Sequence, residues 1–169
     1  LSIHCGIART FGDYKISVHS GSDKLSVFPS IGRRTNGRFH LKTAGTSWLE
    51  AIRVVARTEP TLYRRVHEKA LEYYPEALKS YHITPDLAAV PSIEDVTDDA
   101  LPQLLDHAAW RQVLHVSYGG LLADNETGPA LRRCLFEHEG EYFRGLEAHF
   151  ERHFDALGLK RADLEEEER

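Results

Sequence analysis

Two short β-branched segments, YKISVH at residues 14 to 19 and RFHLKT at 38 to 43, enclose a stretch with a helical pattern, and a third, QVLHVSY at 112 to 118, follows after more helix. That order constrains the fold more than any other feature of the chain. Strands separated by helical stretches are joined by crossovers, and crossovers set neighbouring strands parallel. The sequence therefore predicts an α/β protein with two to four parallel strands and helices packed outside them, Leu1 to Cys5 being the candidate fourth strand. So few strands form part of a barrel or of an open sheet, since a complete (β/α) barrel takes about 250 residues.

The helical stretches read as follows. Residues 22 to 30 predict a short helix capped by Ser22 and ended by the loop GRRTNG at 32 to 37. Thr46 or Ser47 stands where a cap belongs, with Glu50 completing a capping box for Ser47, and Trp48, Leu49, Ile52, Val55 and Ala56 then share one face. Pro60 restarts the chain as a second helix to about Tyr74, burying Leu62, Val66, Ala70 and Tyr73, and Pro75 begins another short piece. Pro85, Pro91 and Pro102 interleave with Asp86, Glu94, Asp95, Asp98 and Asp99, which predicts a loop with short helical turns closing on a helix at about 98 to 108. Residues 129 to 157 form a long amphipathic helical region, and DLEEEER ends the chain as a solvated acidic tail.

Composition narrows the class. With 41% hydrophobic and 28% charged residues among 169, the chain has the balance of a soluble globular domain. A net charge of -5 offers no basic field for nucleic acid. No run approaches the ~20 apolar residues that span a bilayer. Cys5 and Cys134 form no CxxC pair or disulfide framework, which fits a reducing cytoplasm. There is no methionine, even at position 1, and the opening LSIHCGI already has the character of structured interior, so the chain reads as the C-terminal part of a longer protein.

In an α/β sheet, catalytic side chains gather at the C-terminal ends of the strands. Here each predicted strand carries polar residues at period two: Ser17 and His19, His40 and Lys42, His115 and Ser117. Period two puts each pair on one face. A lone strand histidine is usually hydrogen-bonded structure. Three at equivalent strand ends point instead to convergence on a metal such as zinc, manganese or nickel, for which imidazole is a common ligand. His149 and His153 are spaced i, i+4 near Glu147 and Glu151 but lack the glutamate of HExxH, so a solvated helix face is expected there. His67, His82, His107 and His138 sit among charges and are expected to face water. No GxGxxG, P-loop or GxSxG occurs.

The blocks HSGSDKLSVFP, HLKTAGTSWLEAIRVVA and RQVLHVSYG resemble the C-terminal part of the tagaturonate epimerase family, and the resemblance runs from about Gly12 to Gly158. It implies a TIM-barrel-like fold, a divalent metal, and interconversion of tagaturonate and fructuronate in hexuronate breakdown, by a chain much longer than this one. On that basis residues 1 to 158 are the C-terminal part of a barrel catalytic domain and 159 to 169 a tail. The segment SGSDK then becomes the wall that meets a sugar acid. Ser20 and Ser22 bind hydroxyls, Gly21 lets the backbone approach, Lys24 offers a charge to the carboxylate, and Asp23 either accepts from a hydroxyl or takes part in proton transfer. Lys42 is the second cation, beside the hydroxyls of Thr43, Thr46 and Ser47. His19 and His40 are the expected metal ligands, with His115 as ligand, ligand partner or substrate contact. A surface ion pair is the plainer role for Asp23 and Lys24, worth under ~1 kcal/mol.

The epimerised carbon lies β to the ketone, so simple enolisation does not acidify its proton. A retro-aldol cleavage with metal as Lewis acid is the favoured route, and direct proton exchange between opposed acid and base is the other. A different metal-dependent sugar isomerase or aldolase, and a sugar-acid-binding module without catalysis, are the competing readings. The expected partner is a small ketose uronate, with a homo-oligomer left open and neither nucleic acid nor membrane involved.

Overall fold

The computed structural model describes residues 1–12, 14–19 and 25–159. They divide into two compact units, one of Leu1–Ala44 with the chain from Glu147 onward, the other of Gly45–Leu146.

The first unit is built on a parallel strand pair. Helix α1 (Ser2–Thr10) precedes strand β1 (Ile16–His19), helix α2 (Phe28–Thr35) follows a single 3-10 turn at Leu25–Val27, and strand β2 (Phe39–Lys42) comes next. The register is Ile16 with Phe39, Ser17 with His40, Val18 with Leu41 and His19 with Lys42. The expected parallel pairing and alternation are both present. Val18, Phe39 and Leu41 pack on a cluster of Phe28, Ile31 and Leu157, while Ser17, His19, His40 and Lys42 are exposed on the other face.

Helix α2 begins at Phe28, five residues after the position at which a Ser22 cap would start it, and runs through GRRT. The loop expected at 32 to 37 is helical to Thr35 because Asn36 ends the helix in the left-handed region, φ 51°, followed by Gly37 at φ 74°. Leu1 to Cys5 is not a strand but the start of α1, whose buried residues are Cys5 and Ala8.

The first unit also takes the end of helix α7 (Glu139–Leu157). His149 and His153, expected on a solvated face, are 5% and 4% exposed. The His153 ring lies 5.4 Å from that of Phe28 and 4.3 Å from that of His149. His153 Nδ1 is 2.7 Å from the His149 carbonyl oxygen, so one ring nitrogen is satisfied within the helix itself. This face of α7 covers Phe28, and burial there outweighs the charged neighbours in sequence.

The second unit is helical. It holds α3 (Ala44–Thr58) from Gly45 on, α4 (Pro60–Ala77), α5 (Ala108–Ala123), α6 (Thr127–Glu137) and the first residues of α7. Its core joins Leu49, Ile52 and Val55 of α3, Tyr63 and Val66 of α4, and Trp110, Val113 and Leu114 of α5, closed by Leu104 and Leu131. Pro60 starts α4 as expected, but Pro75 lies inside it. The proline-rich stretch is a run of 3-10 turns, Leu87–Ala89, Ile93–Asp95 and Asp98–Asp106. Two arginines hold it down. Arg64 donates to the carbonyls of Ile93 and Val96 at 2.7 Å each and pairs with Asp98 at 2.7 Å. Arg53 donates to the Pro102 carbonyl at 2.9 Å and to Asp106 at 3.1 Å.

The third predicted strand, 112 to 118, is helix α5. Trp110, Val113, Leu114, Val116, Ser117 and Leu121 are its buried residues, at helical spacing. Ser117 donates to the Ala70 carbonyl at 3.0 Å, so it is a buried polar tie to α4. His115, two residues away on a helix, points about 200° around from it, and the period-two pairing of these two residues is lost.

Trp110 Nε1 donates to the Tyr63 hydroxyl at 3.0 Å and its ring stacks on His67 at 3.8 Å. His67, expected in water, is 5% exposed. Of the other three, His82 is exposed, and His107 and His138 are half-buried. Asp124 caps α6 by accepting from the Glu126 and Thr127 amides at 2.9 and 2.7 Å, and also accepts from the Tyr73 hydroxyl at 2.6 Å. That phenol, with the two amides, holds the Asp124 carboxyl well below the usual carboxylate range. No described helix is long and apolar enough to cross a membrane.

Two outcomes follow from this packing. A Cβ added at Gly32 would overlap the carbonyl of Leu157, a backbone atom that has nowhere to go. Gly32→Ala should therefore destabilise the chain by about 2 kcal/mol or more, read from urea unfolding. His67 gives the second. Burial, with the Arg64 guanidinium adding to it, pushes its pKa from 6.5 down to about 4, and Nδ1 has no hydrogen-bond partner among the described residues. A depressed histidine pKa means that its stabilisation is complete above the unfolded value and is lost as pH falls toward the folded one. The window is pH 6.5 to 4, and the full loss is about 3 kcal/mol. Between pH 7 and 4.5, His67→Leu should lose about 2 kcal/mol less stability than the parent chain; equal losses would show that His67 does not carry the acid sensitivity.

Candidate functional site

Strands β1 and β2 end side by side, because the pair is parallel and in register. On their exposed face stand Ser17 and His40 on one rung, His19 and Lys42 on the last. Apolar residues on the alternate positions anchor the opposite face, so this polar set is fixed by the pleat itself. His40 Nδ1 and Ser17 Oγ are 3.1 Å apart. If Nδ1–H donates to the hydroxyl, Nε2 carries the lone pair and faces outward as a ligand. The face thus combines two imidazoles, a hydroxyl hydrogen-bonded to one of them, and an ammonium.

This donor set has the chemistry that zinc, manganese or nickel accept. It supplies two ligands, and the described residues contain no cluster of three or more His, Cys, Asp or Glu arranged for a metal ion. Any further ligand would come from beyond them. The Ser17 hydroxyl, now seen to bond His40, was absent from the ligand set expected from sequence, although it stands at the period-two position that singled out His19.

His115 belongs to the second unit. Its half-buried ring lies against Gly45 of α3, so closely that a Cβ at that glycine would overlap the imidazole. Burial, with the Arg111 cation beside it, pushes its pKa down, so the ring stays neutral at pH 7. Its Nδ1 is buried and has no hydrogen-bond partner among the described residues. Gly45 was not singled out in the sequence; a glycine in a helix, which costs up to ~1 kcal/mol relative to alanine, is the signal that marks it.

The remaining expected residues are placed as follows. Helix α3 starts at Ala44, so Thr46 and Ser47 lie inside its first turn rather than capping it, and Thr43 directly precedes it. Thr46 is 3% exposed, and Thr43 and Ser47 are half-buried. Ser20, Gly21, Ser22, Asp23 and Lys24 lie outside the described residues.

The family model of tagaturonate epimerase matches residues 1–157. The chain is 43% identical over 157 residues to the tagaturonate/fructuronate epimerase of Thermotoga maritima, across 93% of this chain and 33% of that protein. Its fold is similar to the native crystal structure of fructuronate-tagaturonate epimerase UxaE from Cohnella laeviribosi, with TM-score 0.88 and 47% identity, over 94% of this chain and 34% of that one. The same enzyme with one glycerol bound gives TM-score 0.87. The chain spans about a third of the length of these relatives. By the match over residues 1–157, the chain belongs to the tagaturonate epimerase family.

Proposed function

We propose that the chain forms the C-terminal part of an epimerase that interconverts tagaturonate and fructuronate, and that β1 and β2 are neighbouring strands of a TIM-type barrel completed by the rest of the family's length. One observation carries the reading beyond family membership. Ser17, His19, His40 and Lys42 share one face and crowd toward the carboxyl ends of two parallel strands, where α/β folds place their ligands.

His19 and His40 would hold a divalent cation, with Ser17 fixing the tautomer of His40. When bound, such a cation supplies Lewis acidity toward the ketone. Lys42 presents an ammonium at the strand end, suited to the carboxylate that distinguishes a uronate from its neutral ketose. Lys24 is the second candidate for that role, and Thr43, Ser20 and Ser22 would take sugar hydroxyls. Asp23 would receive the proton of the hydroxyl on the epimerised carbon as the adjacent carbon–carbon bond opens. The aldehyde end turns over, the bond closes on its other face, and the same proton returns, so the reaction is proton-neutral. His115, held neutral, is a further candidate substrate contact. The setting expected for this metabolism is the cytoplasm.

The reading is tested in a protein of the relatives' full length that carries this segment, by following conversion of tagaturonate to fructuronate with and without a chelator. His19→Ala and His40→Ala should each lower bound metal and turnover together; unchanged metal content in both would remove the ligand assignment. Ser17→Ala should weaken metal affinity by ~10- to 100-fold while leaving both imidazoles in place, measured by competition with a chromophoric chelator.

Lys42 gives a separate expectation. Loss of a hydrogen bond to a charged group costs about 1.5–3 kcal/mol. Lys42→Ala should therefore lower kcat/KM for tagaturonate by ~10- to 100-fold and that for tagatose by less. Equal losses on the two sugars would transfer the carboxylate role to Lys24, whose alanine variant is measured alongside.

A further inference from the structure

The opposite ends of the same two strands are lined differently. An open cavity of about 190 Å³ lies at the amino ends of β1 and β2, with Arg9 of α1, Arg34 and Asn36 at the end of α2, Arg38 just before β2 and Tyr14 just before β1 around it. Its floor includes Cys5 and Ala8, both buried. Every one of these residues belongs to the first unit.

Three guanidiniums around one small cavity need a reason in a chain whose net charge is -5. Part of it is local. Arg9 and Arg34 stand in the last turns of their helices, where the macrodipole is negative. Each helix end contributes roughly half an elementary charge, which offsets only part of the charge on Arg9 and Arg34. Arg34 also donates to the Ser2 hydroxyl, which ties α2 to α1. Arg38 comes from the next element, so the cations converge from three separate segments. A guanidinium presents paired donors matched to the oxygens of a carboxylate or phosphate. The Tyr14 hydroxyl and Asn36 amide add neutral donors to the same wall.

We propose that this cavity is an oxyanion-binding site that takes the phosphoryl or carboxylate group of a small metabolite, at the strand ends opposite those that carry His19 and Lys42. The size suits one such group and a few further atoms. The proposal does not rest on the epimerase reading, since none of its residues is assigned to catalysis, metal or substrate there.

The test uses the full 169-residue chain at constant ionic strength. Inorganic phosphate and galacturonate are titrated separately, with unfolding temperature and calorimetry as readouts and chloride as the control. A saturable rise in unfolding temperature with phosphate alone supports the phosphoryl source, and one with galacturonate alone the carboxylate source; both together support a general oxyanion site. Arg9→Gln and Arg38→Gln should each weaken the bound anion at least ~tenfold, while Arg9→Lys, which keeps the charge but not the fork, should fall between. Circular dichroism without anion checks that each variant folds, and either glutamine variant suffices if the other does not. No saturable effect from either anion, an equal effect from chloride, or parent-like affinity in the folded variants would overturn the proposal.

Discussion

Parallel pairing of Ile16–His19 with Phe39–Lys42 is the constraint from which the first unit follows. Because side chains alternate with period two, one register decision sends Val18, Phe39 and Leu41 toward Phe28, Ile31 and Leu157 and leaves Ser17, His19, His40 and Lys42 outside. A slip by one residue would bury two imidazoles and an ammonium against apolar surface and expose the anchors. The apolar face is therefore what specifies the polar one. A parallel pair also has unlike ends, and here the difference is chemical: arginines collect at the amino ends, histidine and lysine at the carboxyl ends.

In the second unit the organising contact is different. Trp110 donates to Tyr63 and stacks on His67, so one fully buried indole joins α4 to α5 through a hydrogen bond and a ring face. Ser117 reinforces the same helix pair through the Ala70 carbonyl. Burial pushes the Tyr63 phenol up and the His67 imidazole down, which means that both rings pack in their neutral forms. The core accepts polar side chains as long as they remain uncharged, and the proline-rich segment outside it is secured by arginines that bond both its backbone carbonyls and its Asp98 and Asp106 carboxylates.

How much of this was legible in the sequence depended on whether local pattern and tertiary burial agreed. They agreed in β1 and β2, where alternation of Ile16, Val18, Phe39 and Leu41 with polar residues has no helical counterpart. They agreed in α3 and α4, where the apolar spacing and Pro60 marked both the faces and the break. They parted in QVLHVSY. Val113 and Val116 suggest a strand, yet they are also three residues apart, which serves a helix equally well once Trp110, Leu114 and Leu121 are counted with them. Strand preference is mostly a matter of packing context, and the context here is helical. His149 and His153 failed for a related reason. Nothing near them in sequence announces Phe28, more than a hundred residues earlier, which their face of α7 covers. Of the candidate site, the His19, His40 and Lys42 face was readable because it depends on period two alone. The hydrogen bond between Ser17 and His40 was not, since it depends on which residue stands opposite His40.

Glycines within helices carried information that hydrophobic patterning did not. A helical glycine costs up to ~1 kcal/mol relative to alanine, and at Gly32, Gly120 and Gly45 a neighbouring group stands where the Cβ would go. At Gly32 that neighbour is the backbone of Leu157, and the absence of a side chain lets the end of α7 close over the strand pair. At Gly120 it is the ring of Tyr73, whose hydroxyl then reaches Asp124 and completes the cap of α6. At Gly45 it is the imidazole of His115. The three share one device, in which a missing methyl group on one element fixes the position of a larger group on another. At Gly45 the positioned group is a neutral imidazole with a buried, unpartnered nitrogen among the described residues. Packing alone would be met by any ring of that shape; a ring nitrogen left without a bond is a cost that packing does not require. The Gly45 contact therefore accounts for the volume of His115 and not for its unpartnered nitrogen.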